Sequence, residues 1–328
     1  MKKIILPIIL LSCLSATDSK LAQTGFQFLS VSSNASAGGM GDAVTTQFLK
    51  SSSLFYNPAG LGNQKASFDI SLNQNNWIAG ITHNAITASF RPSQGKYGVI
   101  GLSFLSVDYG EIQGTMVWDN DQGFIDTELI KPTALSLGLG YAKALSDQFY
   151  VGGHIKTAYQ SLGRNVIPTS DTTRSVIKNT AQGVAFDFGT IYQTGWNGFD
   201  FGMSIRNFSQ EIKYQTEAFQ LPLTFTMGAS IDLFQLLPIV TTTQELLLSI
   251  DALHPRSYKE RVNIGLNYRL SDLLSLKTGY LFNYDEQSIT AGAGFQKALG
   301  AYTLGIHYAY TPFGVFDHVQ RVSFQLSF

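Results

Sequence analysis

Arg321-Val322-Ser323-Phe324-Gln325-Leu326-Ser327-Phe328 is the stretch that decides the fold. Val322, Phe324, Leu326 and Phe328 alternate with Arg321, Ser323, Gln325 and Ser327. Side chains of a strand point to opposite faces with period two, so this segment has one apolar face and one polar face. Val262, Ile264, Leu266, Tyr268 and Leu270 alternate in the same way with Arg261, Asn263, Gly265, Asn267 and Arg269. Tyr302 to Tyr310 and Leu223 to Ile231 repeat the pattern. A β-sandwich alternates too, but three features favour a membrane barrel. Many segments run to ten residues or more, where globular strands average about five or six. Tyr268, Tyr280, Tyr284, Tyr308 and Tyr310 sit at the ends of apolar faces, as an interfacial girdle requires. Gly and Ser recur on the polar face, where inward side chains crowd.

The pattern predicts an all-β transmembrane antiparallel barrel of about fourteen strands, an even number as single-chain bacterial barrels have. The strands fall at 67–74, 82–91, 96–107, 132–144, 148–161, 182–193, 198–208, 222–233, 244–252, 260–270, 273–284, 288–297, 300–311 and 318–328. Turns such as Pro92–Gly95, Ser271-Asp272 and Ala298-Leu299 are short, while Asp108–Lys131, Leu162–Ala181 and Asn207–Leu221 are long. With the last strand ending in the periplasm, the short turns are periplasmic and the long loops lie outside. Phe234–Thr243 is a longer periplasmic exception. Phe328, at the end of an alternating strand, is read as the outer-membrane assembly signal.

Composition agrees. Charged residues make up 14% of the 328, against roughly 25% in soluble domains, and 31 glycines help fill the gap. Net charge is −1, which leaves no basic field for nucleic acid. Lys2 and Lys3 precede the apolar run Ile4–Leu14 and a more polar stretch to Gln23, the layout of a signal peptide over 1–23. That run falls short of the ~20 residues a spanning helix needs. Cys13, the single cysteine, also fits lipoprotein processing after Leu10-Leu11-Ser12.

Residues 24–65 do not alternate. Gly38-Gly39-Met40-Gly41 reads as a flexible run, Ala43–Ser53 as a short helix and Asn57-Pro58-Ala59-Gly60 as a turn. Placed before the first strand, this segment is expected to fold back into the lumen as a hatch, with Gly38, Gly39, Gly41 and Asn57–Gly60 as its gating elements. The barrel domain then covers 66–328. Asp69, Asp187, Asp200, Arg206, Asp251, Arg261, Arg269 and Lys277 fall on polar strand faces, and their mixed signs suit pairing within the lumen more than a substrate path.

No catalytic motif emerges. The five histidines form no H-E-x-x-H and no serine forms G-x-S-x-G, although a pair such as Ser323 and His307 on the outer wall is conceivable. The chain is read as non-enzymatic, with no cofactor. Asp119, Asp121 and Asp126 are candidate calcium ligands, but they lack EF-hand spacing and read better as a solvated acidic loop.

Phe28-Leu29, Ala37-Gly38-Gly39-Met40-Gly41-Asp42-Ala43 and Phe55-Tyr56-Asn57-Pro58-Ala59-Gly60-Leu61 resemble the start of the PorV/PorQ family. Asn76-Trp77-Ile78-Ala79, Val107-Asp108-Tyr109-Gly110, Gly183-Val184-Ala185-Phe186-Asp187, Leu253-His254-Pro255 and Phe282-Asn283-Tyr284-Asp285-Glu286 extend the resemblance over most of the chain. It implies a FadL-like outer-membrane barrel of fourteen strands with a hatch, embedded in outer-membrane lipid. It also implies an accessory or cargo-docking role in type IX-like secretion, with secreted cargo or secretion-system proteins as partners. Two other functions follow from the same fold: a FadL-like channel for a hydrophobic ligand, with an apolar pocket under the outer loops beside Asn57–Gly60, and a structural barrel presenting its loops.

Overall fold

A computed structural model describes residues 23–168, 174–214, 217–236, 243–271, 273–316 and 318–328. The expected signal peptide, Cys13 included, lies outside the described residues except for Gln23, as do Asp272 and most of Phe234–Thr243.

The strands are β1 Phe68–Asn76, β2 Thr82–Phe90, β3 Val99–Asp108, β4 Ile112–Val117, β5 Phe124–Ile130, β6 Thr133–Ala144, β7 Phe149–Pro168, β8 Arg174–Gln193 and β9 Asp200–Ser209. They continue as β10 Ile212–Lys213, β11 Ala218–Phe219, β12 Thr224–Asp232, β13 Gln244–Pro255, β14 Arg261–Leu270, β15 Leu274–Phe282, β16 Ile289–Leu299, β17 Tyr302–Pro312 and β18 His318–Ser327. Fourteen of them close an antiparallel barrel, and β1 pairs with β18 to complete the ring. Strands β4–β5 and β10–β11 are hairpins outside it. A closed ring leaves no unpaired edge, which is the condition for strands to cross a bilayer.

Burial is inverted relative to a soluble protein. In β1 the apolar Ile70 is 38% exposed, whereas Asp69 and Ser71 on either side are at 0% and 1%. Leu102, Phe104, Leu137, Leu139, Phe188 and Phe324 likewise face outward, and Asn73, Thr87, Ser103, His154 and Asn263 face the lumen. Facing lipid instead of water, each outward Leu or Phe stabilises the barrel by about 2 kcal/mol.

The seam is capped by rings. Phe328 stacks on Phe68 with centroids 5.2 Å apart and lies 5.7 Å from Tyr302, and Phe68 stacks on Phe90 at 4.6 Å. Backbone bonds of 2.8 and 3.0 Å join Phe68 and Phe328 in both directions. Phe328→Ala removes this cap from the pair that closes the ring. It is expected to lower the amount of heat-modifiable barrel in outer membranes several-fold; an unchanged amount would remove the role given to Phe328.

Three regions differ from the sequence reading, one of them being Asn207–Leu221, an expected loop that carries the β10–β11 pair. Leu162–Ala181 was expected to be a loop, yet β7 and β8 pair on through Arg164–Lys178 to Pro168–Arg174, past a bulge at Gly163 with φ +93°. A hairpin that rises above the membrane still gains by pairing its backbone. Asp108–Lys131 is likewise not plain loop but carries the β4–β5 hairpin.

Candidate functional site

Residues 23–66 run inside the barrel, from the long-loop end down to the short-turn end. Gly25 N donates to Gln220 O (3.1 Å) in the outer connection, and Phe26 and Phe28 pack among Leu105, Val107, Ala158, Tyr214 and Phe219. Asn34 caps the turn Ala35–Gly39, accepting from Ala37 N, and its amide donates to Asn73 Oδ1 at 2.9 Å. Ala35 N donates to Ser323 Oγ at 2.8 Å. Lower down, Ser89 Oγ donates to Gln64 Oε1 at 2.5 Å.

Wall carboxylates grip this segment. Asp251 Oδ2 accepts from Thr45 N (3.0 Å) and Thr45 Oγ1 (2.7 Å). Asp69 Oδ1 accepts from Ser51 N (3.0 Å) and Ser51 Oγ (2.5 Å), and Lys50 Nζ lies 3.9 Å from its other oxygen. Thr46 Oγ1 donates to Ser230 Oγ at 2.8 Å. These bonds explain why Ala43–Ser53 is not the expected helix. Its Thr and Ser side chains engage the wall and compete with helical pairing, leaving a 3₁₀ stretch at Lys50–Phe55.

Glycine pairs on the inner wall make room for it. Gly101 faces Gly140, Gly152 faces Gly189, Gly202 faces Gly228 and Gly265 faces Gly279 across adjacent strands. A Cβ on Gly265 would stand 2.5 Å from Met40 O, and one on Gly152 would stand 2.5 Å from Ala59 N. Gly38, Gly39 and Gly41 are therefore not a free flexible run. Gly38 is pressed against Arg321, Gly39 against the Gly292 backbone, and Gly41, with φ +60°, against Gly279. Asn57 Nδ2 donates to Thr45 O (2.7 Å) and Thr190 O (3.1 Å), its Oδ1 accepts from Ala59 N, and Pro58 begins the 3₁₀ turn Pro58–Asn63. Gly60 sits where a Cβ would be 2.5 Å from Ser53 Oγ.

The remaining lumen charges fall into three groups. Asp187 is fully buried and accepts from Lys156 Nζ at 2.7 Å and from Asn207 N at 2.6 Å, with His154 Nδ1 2.8 Å away. Arg206 Nη1 donates to Phe55 O at 2.8 Å, and Lys277 Nζ donates to Ser275 Oγ at 2.5 Å. Nearer the short-turn end, Asp200 accepts from Gln193 Nε2 at 3.3 Å and Arg269 pairs with Glu245. Arg261 stands at the other end, between the rings of Tyr258 and Tyr284.

Sequence reasoning passed over Arg321. It is buried, donating from Nε to Ser32 O (3.1 Å) and from Nη1 to Thr311 Oγ1 (2.9 Å). Its place on the polar face of the opening stretch was the available signal. Near it, Tyr56 is held by Ser32 Oγ at 2.7 Å; burial, then the charge of Asp42, pushes its phenol up, so it stays a neutral hydrogen-bonding group.

Ser323 and His307 face each other in register on the inner wall, not the outer one, and Ser323 Oγ is engaged by Ala35 N and Asn73. Ser103 Oγ, His154 Nε2 (2.9 Å) and Asp187 form a Ser–His–Asp array. Ser103 and His154 are buried and do not line the cavity described below. Asp119 and Asp121 lie at the tip of the β4–β5 hairpin and Asp126 within β5. Among the described residues no group of three His, Cys, Asp or Glu side chains is placed to hold a metal.

A cavity of about 490 Å³ lies between this inner segment and the outer connections. Leu29, Phe55, Trp77, Leu105, Leu223 and Phe313 give it apolar surface, and Asp42, Lys156, Arg206, Asp251, Arg261 and Arg321 give it charge. Asn57–Gly60 do not line it. The pocket expected beside them is instead above them, and it is mixed rather than apolar.

The barrel is similar to solved outer-membrane channels. The toluene transporter TbuX of Ralstonia pickettii aligns at 12% identity over 89% of this chain and 96% of its own, with a TM-score of 0.57. The CymD monoaromatic hydrocarbon channel aligns at 11% over 91% and 98%, with a TM-score of 0.58. A FadL homologue of Pseudomonas aeruginosa aligns at 10% over 90% and 97%, with a TM-score of 0.51. At such identities the likeness is one of fold, a FadL-like barrel of the outer membrane. None of the curated proteins compared matches the chain. Residues 37–328 match the profile of the type IX secretion system membrane protein PorP/SprF. That family is related to the PorV/PorQ family suggested by the motifs, and the match runs from Ala37 of the inner segment through the whole barrel. The chain belongs to the type IX secretion system membrane protein PorP/SprF family.

Proposed function

We propose that this barrel is a non-enzymatic docking or accessory component of protein secretion, with secreted cargo or secretion-system proteins as its partners. The family match over residues 37–328 carries the reading. Residues 24–65 act in it as a hatch that stays seated, and residues 1–23 as a signal peptide removed on export. Support for a seated hatch comes from the grip of Asp69 and Asp251 on Ser51 and Thr45. A barrel filled in this way serves better as a surface to bind on than as a pore to pass through. The PorV/PorQ-like motifs fit the same role. Deleting the gene and comparing secreted and periplasmic proteins by mass spectrometry tests it. A defined set of exported proteins should accumulate in the periplasm, and an unaltered secretome would contradict the reading.

The second reading, a channel for hydrophobic molecules, draws on the apolar side of the 490 Å³ cavity and on the hydrocarbon transporters that share the fold. It predicts slower uptake of a monoaromatic hydrocarbon on deletion, with secretion intact.

A further inference from the structure

The short-turn end of the lumen holds a charge that nothing balances. Lys277 on β15 is 7% exposed and pairs in register with Asn267 on β14 and Gly292 on β16. Its Nζ donates to Ser275 Oγ at 2.5 Å. Among the described residues no carboxylate stands in ion-pair range of it. The neighbouring charges are matched. Asp69 accepts from Ser51, Ser327 and Gln325 and has Lys50 beside it, and Arg269 pairs with Glu245. Lys277 is thus one positive charge in excess, taken out of water with a hydroxyl as its partner. An ammonium placed in this way is costly until an anion joins it.

Two groups beside it also lack partners. His307 Nδ1 is buried with no hydrogen bond, and a Cβ on Gly294 would run into both that atom and Ser275 Oγ. Lys277, Ser275 and His307 therefore converge on one patch of wall that a glycine keeps open. Asn267 Oδ1, directly across the ladder from Lys277, is buried with no donor. Ser275, His307 and Asn267 are otherwise half-buried, so the patch is open to water. Buried polar groups are normally satisfied, and this set calls for one negative charge with a donor next to it.

We propose that this vestibule binds a small carboxylate from the periplasm, one that carries a hydroxyl or ammonium group beside its carboxyl, as α-hydroxy and α-amino acids do. One carboxylate oxygen accepts from the Lys277 ammonium and the other from His307 protonated at Nδ1. The adjacent hydroxyl or ammonium donates to Asn267 Oδ1. A single excess cation balances a monoanion but leaves half the charge of a phosphate dianion unmatched, which decides for the carboxylate. None of these residues lines the 490 Å³ cavity at the other end of the lumen, so the site is independent of the docking and channel readings.

The full chain, purified in zwitterionic micelles and exchanged into carboxylate-free buffer, is titrated calorimetrically with lactate, alanine, acetate, methyl lactate, inorganic phosphate and chloride. Lactate or alanine should bind saturably and at least tenfold more tightly than acetate, which lacks the second group. Methyl lactate, which lacks the charge, should not bind. K277M should weaken the tighter ligand at least tenfold, with the gel shift on boiling unchanged. S275A removes only a hydroxyl, guards against a folding defect in the first variant, and should weaken binding several-fold. N267L should bring the tighter ligand down to the level of acetate. K297M, on the outward face of β16, should bind as wild type. Wild-type affinity in K277M overturns the inference, and so does methyl lactate binding as tightly as lactate. Chloride or phosphate matching the tighter ligand would mark an adventitious ion only and overturn it as well.

Discussion

Asp187→Ala is expected to destabilise the barrel by about 3–5 kcal/mol, the effect of breaking a buried ion pair from one side. Asp187 is fully buried and accepts from Lys156 Nζ at 2.7 and 2.9 Å and from Asn207 N at 2.6 Å. Asn207 has φ +62° at an irregularity in the β8–β9 ladder, so its N–H has this carboxylate as its partner in place of the ladder. Removing the carboxylate leaves an ammonium and an amide buried together without an acceptor. Urea unfolding of refolded protein in micelles, followed by tryptophan fluorescence, reads the change. The double variant Asp187→Leu with Lys156→Met replaces the pair by apolar groups and should recover most of the loss, since such replacements are often neutral. A single variant within 1 kcal/mol of wild type would show that the network contributes only locally.

Gly279→Val is expected to expel the inner segment. A Cβ at Gly279 would stand 2.5 Å from the Met40 carbonyl carbon and 2.7 Å from Thr290 Oγ1. Both neighbours are fixed, one by backbone and one by its bond to Gly39 O at 3.1 Å. Overpacking of this kind costs about 1–3 kcal/mol, and here it falls directly on the backbone of the inner segment. Limited proteolysis should therefore cut within 24–65 in the variant but not in wild type, while the barrel still shifts on boiling. Gly305→Val is the control, because the nearest atom to a Cβ there is 3.5 Å away. Equal protection in the two variants would mean that the segment tolerates displacement at Gly279.

The barrel was legible in the sequence because period two is written residue by residue. All fourteen expected strands overlap barrel strands, and the closing pair β1–β18 aligns the opening stretch with Asp69–Asn75. Only the extents of β7 and β8 were misjudged. Above the membrane the hydrophobic alternation fades while backbone pairing continues, so hydropathy no longer reports the strand.

The inner segment was harder. Asn57–Gly60 announced a turn, and one is there. Ala43–Ser53 read as helix because propensity takes no account of a partner across the lumen: Asp251 is 206 residues from Thr45, and Asp69 is 18 residues from Ser51. The glycines on polar strand faces carried the missing information. Gly101, Gly140, Gly152, Gly189, Gly202, Gly228, Gly265 and Gly279 each mark a place where backbone or side chain of the inner segment approaches the wall, but pairing them needs the register. Arg261 was legible as an inward charge. Its stacking between Tyr258 and Tyr284 was not, because these rings come from the β13–β14 and β15–β16 connections, which meet at Arg261 only once β14 pairs with β15.

Affinity purification of the tagged protein from outer membranes after brief crosslinking tests the central claim most directly. Docking in secretion predicts secreted proteins or other secretion components covalently joined to the barrel, at levels well above those on an unrelated outer-membrane barrel. Recovery of the barrel with no enriched protein, and with hydrophobic small molecules in its cavity, would contradict the claim and leave transport as the function.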